Sequence, residues 1–239
     1  MNKEEFLISE VNKIGVNLSS KQVEQFMNYY SLLLEWNSFM NLTAITEFQD
    51  VVIKHFVDSI SLIKAIDLHQ SFSLIDIGTG AGFPGIPLKI VFPNLKVTLL
   101  DSLQKRIKFL DEVILKLNLN EIDAVHGRAE DFAKPDKLRE LYDLCVSRAV
   151  ANLSVLSEYC IPFVKPGGSF ISYKSEKLIE ELEKAKKAIF LLGGRLEKQI
   201  EFNLDNGNIY RNFVIIKKVQ NTPKQYPRKS GVAIKKPII

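Results

Sequence analysis

Hydrophobic positions change their period twice along the chain. Over the first ~70 residues they recur at helical spacing. Residues 3–14 read as a short amphipathic helix stopped at Gly15. Ser19 and Gln22 then stand at capping-box spacing, with Leu18 and Val23 placed to form the accompanying hydrophobic staple. Behind that cap, Val23, Phe26, Met27, Tyr30, Leu33 and Leu34 fall on one face of a second helix. Asn37 to Thr46 is punctuated by polar residues and reads as a loop. A third helix is predicted from about Asp50 to Ile66, burying Ile53, Phe56, Val57, Ile60 and Ile63.

From Ser73 short apolar runs alternate with helical stretches. Leu74–Ile77, Val97–Leu100, Ile122–Val125, Leu141–Val146 and Ser169–Tyr173 have strand length, and segments 85–92, 103–118, 152–163 and 176–192 have helical length and spacing. Strand and helix in this rhythm predict a parallel sheet covered by helices on both faces. Two further runs, near 195–202 and 209–219, have no helix between them. The turn residues Asp205-Asn206-Gly207-Asn208 make them an antiparallel hairpin at the sheet edge. The last ~20 residues, with Pro223, Pro227 and Pro237 and no periodicity, read as an extended, partly mobile tail. The chain thus divides into a helical extension over 1–70 packed on the core, an α/β domain over 71–220 and a basic tail over 221–239.

Of the 239 residues, 46% are apolar, enough for a sizeable core. No apolar run reaches the ~18 residues that would cross a bilayer. The start, Met1-Asn2-Lys3-Glu4-Glu5, is acidic where a signal peptide would be basic. A soluble, cytoplasmic protein is expected. Cys145 and Cys160 sit in apolar segments without ligand spacing, so they read as buried thiols and no metal is expected. Charge is distributed unevenly. After Asp205 there is no acidic residue, while Arg211, Lys217, Lys218, Lys224, Arg228, Lys229, Lys235 and Lys236 follow. The net charge is +4, so the chain without those eight cations stands at −4. A basic tail on a slightly acidic body suggests a polyanionic partner.

The segment with most chemistry is Asp76-Ile77-Gly78-Thr79-Gly80-Ala81-Gly82-Phe83-Pro84-Gly85, between the first strand and a helix. In an open parallel sheet that is where a ligand sits. Two cofactor readings share these residues. Gly80, Gly82 and Gly85 satisfy the dinucleotide spacing G-x-G-x-x-G. From Asp76, the same residues read D-x-G-x-G-x-G, which resembles the first motif of S-adenosylmethionine-dependent methyltransferases. Three details favour the second reading. Asp76 lies at the strand end, where an acid suits a cationic ligand better than a pyrophosphate. A dinucleotide turn beginning at Gly80 would force Gly78 and Thr79 to end the strand early. Pro84 and Pro87 remove amide donors that phosphate oxygens would need. Asp101 ends the second strand, where a carboxylate accepts both hydroxyls of a ribose. After the third strand, Gly127-Arg128-Ala129-Glu130-Asp131 offers an acid for an adenine amino group.

Across nearly its whole length the chain resembles the small-subunit (16S) ribosomal RNA guanine-N(7) methyltransferases, also called glucose-inhibited division protein B. The matching segments are Asn41-Leu42-Thr43, His55-Phe56-Val57-Asp58-Ser59 and Gly78–Gly85 continuing to Pro87-Leu88. Asp101-Ser102-Leu103 with Lys105-Arg106 and Phe109-Leu110, then Ser147-Arg148-Ala149-Val150, and Pro223–Arg228 complete the set. Two positions depart from the family's common pattern, with Lys54 in place of Arg and Ser175 in place of Gly after Lys174. The resemblance implies a Rossmann-like class I methyltransferase sheet with a helical N-terminal extension, and cofactor contacts at Gly78, Phe83, Ala129, Glu130 and Arg148. With the motif residues Asp76, Gly80, Gly82 and Asp101, these form the expected S-adenosylmethionine site. Arg148 is also the expected catalytic residue, touching substrate phosphate or base. The expected partner is 16S ribosomal RNA or the small ribosomal subunit.

The residues bear on the acceptor independently. Methylating an exocyclic amine or a ring carbon calls for an Asn/Asp-Pro-Pro-aromatic motif or a cysteine nucleophile, whereas strand four ends in Ser147-Arg148-Ala149-Val150-Ala151-Asn152. Guanine nitrogen 7 already presents a lone pair and loses no proton, so positioning and water exclusion suffice. Lys54, Lys105, Arg106, Arg128 and the tail are candidates for a basic rim, while His55 and Trp36 read as packing residues of the helical extension. The competing readings are a small-molecule methyltransferase, which needs no basic tail, and a nucleotide- or RNA-binding protein without catalysis.

Overall fold

The computed structural model describes residues 1–149, 151–175 and 178–239. Val150 of the Ser147–Val150 motif, and residues 176 and 177 at the start of the helix expected over 176–192, lie outside them.

The chain opens with α1 (Lys3–Asn12) and α2 (Ser20–Met40). The expected capping box starts α2: the Ser19 hydroxyl accepts from Gln22 N at 3.3 Å and Gln22 Oε1 accepts from Ser19 N at 2.9 Å. The helix continues past the expected stop at Asn37, because Trp36 packs on Phe39 and Phe109 and Met40 is buried. Packing outweighs the turn preference of Asn37 and Ser38, and Asn41 ends the helix in the left-handed region at φ 51°. Its buried face includes Tyr29, which the sequence pattern omitted, while Met27 and Leu34 are only half-buried.

The third helix is not one regular element. It begins as α3 (Phe48–Val51), widens into a π-helical turn (Val52–Val57), returns to α4 (Asp58–Ile60) and tightens into a 3-10 turn (Ser61–Lys64). The π turn rotates the buried face, so Ile53 and Ile63 are only half-buried while His55, Asp58 and Ser59 go inside. A buried polar face on a helix is a departure that calls for partners.

Strand and helix then alternate: β1 (Ser73–Ile77), α5 (Gly85–Val91), β2 (Lys96–Asp101), α6 (Gln104–Lys116), β3 (Ile122–His126), α7 (Ala129–Phe132), β4 (Tyr142–Ser147), α8 (Leu153–Cys160), β5 (Val164–Lys174) and α9 (Ile179–Leu191). The hairpin β6 (Gly194–Leu204) and β7 (Ile209–Lys218) follows. The sheet order is β3-β2-β1-β4-β5-β7-β6. β1 to β5 are parallel, and β7 is antiparallel to both β5 and β6. β5 starts at Val164, before the expected Ser169, because Lys165-Pro166-Gly167-Gly168 hides its first residues from a propensity reading. Leu141 stays outside β4 and is exposed.

Along the strands side chains alternate between faces. Leu74, Val97, Leu99, Leu144 and Val146 form one core together with Leu7, Phe26, Tyr29 and Phe56 of the N-terminal helices. Ile75, Ile77, Leu100, Cys145 and Phe170 form the other, against Leu153, Leu156, Leu182 and Ala185 of α8 and α9. Both cysteines are buried, free thiols. The order of strands reverses between β1 and β4, which opens a crevice above their carboxyl ends.

After β7 the chain does not remain extended. Arg139 holds the carbonyls of Thr222, Pro223 and Tyr226. The short α10 (Val232–Lys235) follows, with Ala233 buried. The composition had concealed a docked segment, since its anchors lie elsewhere in the chain.

Candidate cofactor and acceptor site

The glycine loop is built from both sides. Below it, Asp76 Oδ2 accepts from the Thr79 hydroxyl at 2.7 Å and from Gly85 N at 2.9 Å, lacing the two ends of the turn together. Its Oδ1 is buried without a partner, and burial pushes the carboxyl up to about 7 against those two bonds. From above, the Tyr29 hydroxyl of α2 donates to the Ala81 carbonyl. A Cβ at Gly82, where φ is +96°, would meet that hydroxyl at 2.8 Å, so only glycine fits. Asp76 and Gly82 therefore shape the loop from behind and do not line the cavity.

The remaining expected site residues converge. Gly78, Gly80, Phe83, Asp101, Ala129, Glu130 and Arg148 all line one cavity of about 600 Å³ over the carboxyl edge of β1 to β4. That size suits a nucleoside with an amino-acid arm. At Gly80 a Cβ would stand in open space, so the cavity reaches the backbone itself. Asp101 is 2% exposed and fully engaged: it accepts from Gly80 N at 2.9 Å, from Leu103 N at 3.0 Å and from Arg106 at 3.1 Å. Glu130, at the start of α7, accepts from Gly231 N at 3.0 Å.

Arg148 lines the cavity yet turns its guanidinium toward the N-terminal helices. It lies 3.3 Å from Asp58, donates to the Ser59 hydroxyl at 3.0 Å and reaches the carbonyls of Lys54 at 3.2 Å and His55 at 3.3 Å. Arg211 of β7, one of the cations after Asp205, takes the other Asp58 oxygen at 2.7 Å. The polar face that the π turn buries is thus satisfied by two arginines from the sheet. Arg148 also stands over the Phe83 ring, 5.6 Å from its centroid, and His55 stacks on the same ring at 4.4 Å. His55 Nε2 is 3.0 Å from the Thr43 hydroxyl, and both residues line the cavity. Burial first, then the Arg148 charge, lowers His55 to about 3, so its imidazole is neutral. Tyr29 escaped the sequence reading because nothing local marks it, and Thr43, Asp58 and Arg211 were named there without the contacts they make here. The buried polar positions 55, 58 and 59 on a helix face were the available signal.

Three of the cations after Asp205 are neutralised within the fold. Arg211 pairs with Asp58, Lys218 with Glu140 at 3.0 Å, and Arg228 with Glu158 at 2.5 Å. Lys224, Lys229, Lys235 and Lys236 are exposed.

A sheet in this order, with a nucleoside-sized cavity at the switch between β1 and β4, is the architecture of class I S-adenosylmethionine-dependent methyltransferases. Its fold is similar to that of M. jannaschii TYW2, crystallised in complex with AdoMet, with a TM-score of 0.53 at 16% identity over 68% of this chain and 77% of that one. TrmN from Thermus thermophilus gives 0.51 at 17% identity over 67% and 48%. Residues 22–210 match the family model GidB, rRNA small subunit methyltransferase G. The chain is 54% identical to the ribosomal RNA small subunit methyltransferase G of Lachnoclostridium phytofermentans, over 97% of this chain and 96% of that protein. With that of Clostridium novyi it shares 48% over the full length of both. The chain belongs to the rRNA small subunit methyltransferase G (GidB) family.

Proposed function

We propose that this protein methylates ring nitrogen 7 of a guanine in 16S ribosomal RNA, using S-adenosylmethionine, in the cytoplasm. Family membership supports the activity. Among the described residues no helix is long and apolar enough to cross a membrane.

S-adenosylmethionine supplies an electrophilic methyl group when bound. Gly78 and Gly80 would let it approach the backbone closely, and Asp101 would hold its ribose hydroxyls. Ala129 and Glu130 would flank its adenine, and Phe83 lines the cavity beside Arg148. Asp76 and Gly82 act through the loop they shape. Arg148 holds His55 and Phe83 in place at the cavity wall, so its effect on rate comes through positioning.

The observation that carries the nitrogen-7 reading is the engagement of the acid and imidazole groups on the cavity wall. Asp101 is held by Gly80, Leu103 and Arg106, Glu130 by Gly231, and His55 by Thr43. These groups orient the site. An acceptor with a free lone pair asks for nothing more, because no proton must be removed before attack. Arg128, at the cavity edge, and the exposed tail lysines supply the charge that meets phosphates. The base enters from an unstacked segment.

The test is transfer of labelled methyl from S-adenosylmethionine to three substrates: small ribosomal subunits lacking the modification, naked 16S RNA, and a panel of small metabolites. Label in either RNA substrate supports the reading. Label confined to metabolites would establish a small-molecule enzyme, and cofactor binding without any transfer would establish a binding protein.

A further inference from the structure

The segment after β7 reads from composition as an RNA-binding appendage. Its contacts place it elsewhere. Arg228 forms a paired bond to Glu158 of α8, Nε to Oε1 at 2.9 Å and the terminal nitrogen to Oε2 at 2.5 Å, while its own backbone N reaches Oε1 at 2.8 Å. Glu158 is 1% exposed, so this is an anchor inside the fold. The second guanidinium nitrogen donates to the Lys236 carbonyl at 2.8 Å, closing the segment into a loop around α10. Beyond it, the Ser154 hydroxyl donates to the Ile238 carbonyl at 2.7 Å. Contacts at 228, 231 and 238 hold the loop against α7 and α8.

The consequence falls on the cavity. Gly231 N donates to Glu130, the acid that follows β3, and Ile234 of α10 is itself part of the cavity wall alongside Ala129, Leu156 and Tyr159. Ile234 is 66% exposed, an unusual place for a large aliphatic side chain whose neighbours 235 and 236 are lysines. An exposed isoleucine bordering a cavity has an explanation when a flat apolar ligand covers it.

We propose that the segment Arg228–Ile239 is the outer wall of the nucleoside end of the cofactor site, with Ile234 packing on the adenine and the Gly231 amide fixing Glu130 to receive its amino group. This deepens the assignment of the cavity to S-adenosylmethionine and rests on it. The tail's first contribution is then to cofactor affinity, and its exposed lysines act on RNA from a segment that the fold has already seated. The basic residues and the cofactor wall are one structure.

Calorimetric titration separates these roles without relying on turnover. S-adenosylmethionine and methylthioadenosine, which lacks the amino-acid arm, are titrated into the full chain, Ile234→Ala, Ile234→Asp and a chain ending at Ser230. Losing most of an aliphatic side chain from an adenine contact should weaken both ligands roughly tenfold in Ile234→Ala, and more in the other two. Equal loss for the two ligands locates the effect at the nucleoside. Binding of a 16S RNA fragment should be unchanged in Ile234→Ala, which removes no charge. Thermal unfolding of each variant without ligand reports whether the fold is retained, and Ile234→Ala carries the test if the shortened chain unfolds. Unchanged affinity for both ligands in folded Ile234→Ala and Ile234→Asp overturns the proposal. Failure of the full chain to bind either ligand would instead overturn the cofactor assignment itself.

Discussion

Replacing Arg148 with alanine tests how the N-terminal helices are held to the sheet. The guanidinium meets Asp58 at 3.3 Å and the Ser59 hydroxyl at 3.0 Å, and it caps two carbonyls of the π turn. Asp58 is 3% exposed, so removing one of its two arginines leaves a buried carboxylate with Arg211 alone. Breaking a buried pair outright costs roughly 3–5 kcal/mol. Arg211 retains part of that neutralisation, and the vacated carbonyls gain water through the cavity, which brings the expected loss to about 2–3 kcal/mol. For a chain of this size that lowers Tm by roughly 5–10 °C. Arg148→Lys keeps the charge but cannot span four acceptors, and should lose about half as much. The assay is denaturant unfolding of Arg148→Ala, Asp58→Asn and the double variant, with methyl transfer measured below the unfolding transition. The two substitutions should be far from additive, since each removes the same contact. Equal stability of Arg148→Ala and the parent, within about 0.5 kcal/mol, would refute the anchoring role.

Three further outcomes follow from the site. Asp76, with its folded-state carboxyl raised to about 7, favours the folded chain most at pH values below its unfolded value near 4 and loses that contribution as pH rises through 7. Asp76→Asn should therefore flatten the fall in stability across pH 4 to about 7, a span on the order of 4 kcal/mol, when unfolding is followed without cofactor. His55 acts with the opposite sign: lowered to about 3, its neutral form supports the fold above about 6.5 and that support is lost as pH falls towards 3. His55→Gln should unfold less readily in acid, relative to its own stability at neutral pH, than the parent does. Gly82→Ala brings a Cβ against Ile86 and the Tyr29 hydroxyl at a φ of +96°, and should lose roughly 2 kcal/mol and most cofactor affinity, measured by thermal unfolding and titration.

The order of strands and helices was legible because each strand is a short apolar run bounded by turn residues, and the glycine loop followed β1 as its spacing required. The residues that line the cavity from this loop, from Asp101 and from positions 129 and 130 were legible for the same reason, since they sit at fixed offsets from strand ends. What escaped was long-range. Tyr29 reaches a loop 52 residues away, Arg228 an acid 70 residues away and Arg211 an acid 153 residues away. A tally of charge after Asp205 counted Arg211, Lys218 and Arg228 as free cations, because their partners lie in earlier segments. The π turn was equally invisible: one extra residue in a turn leaves the apolar spacing intact while rotating His55, Asp58 and Ser59 inward.

Identifying the modified nucleoside tests the nitrogen-7 assignment. Small subunits lacking the modification are incubated with the protein and S-adenosylmethionine, and the 16S RNA is digested and its nucleosides separated by mass spectrometry against standards. One new product, 7-methylguanosine, is expected. A methyl group on an exocyclic amine, a ring carbon or a ribose would contradict it, because each of those acceptors must lose a proton whereas nitrogen 7 offers a free lone pair.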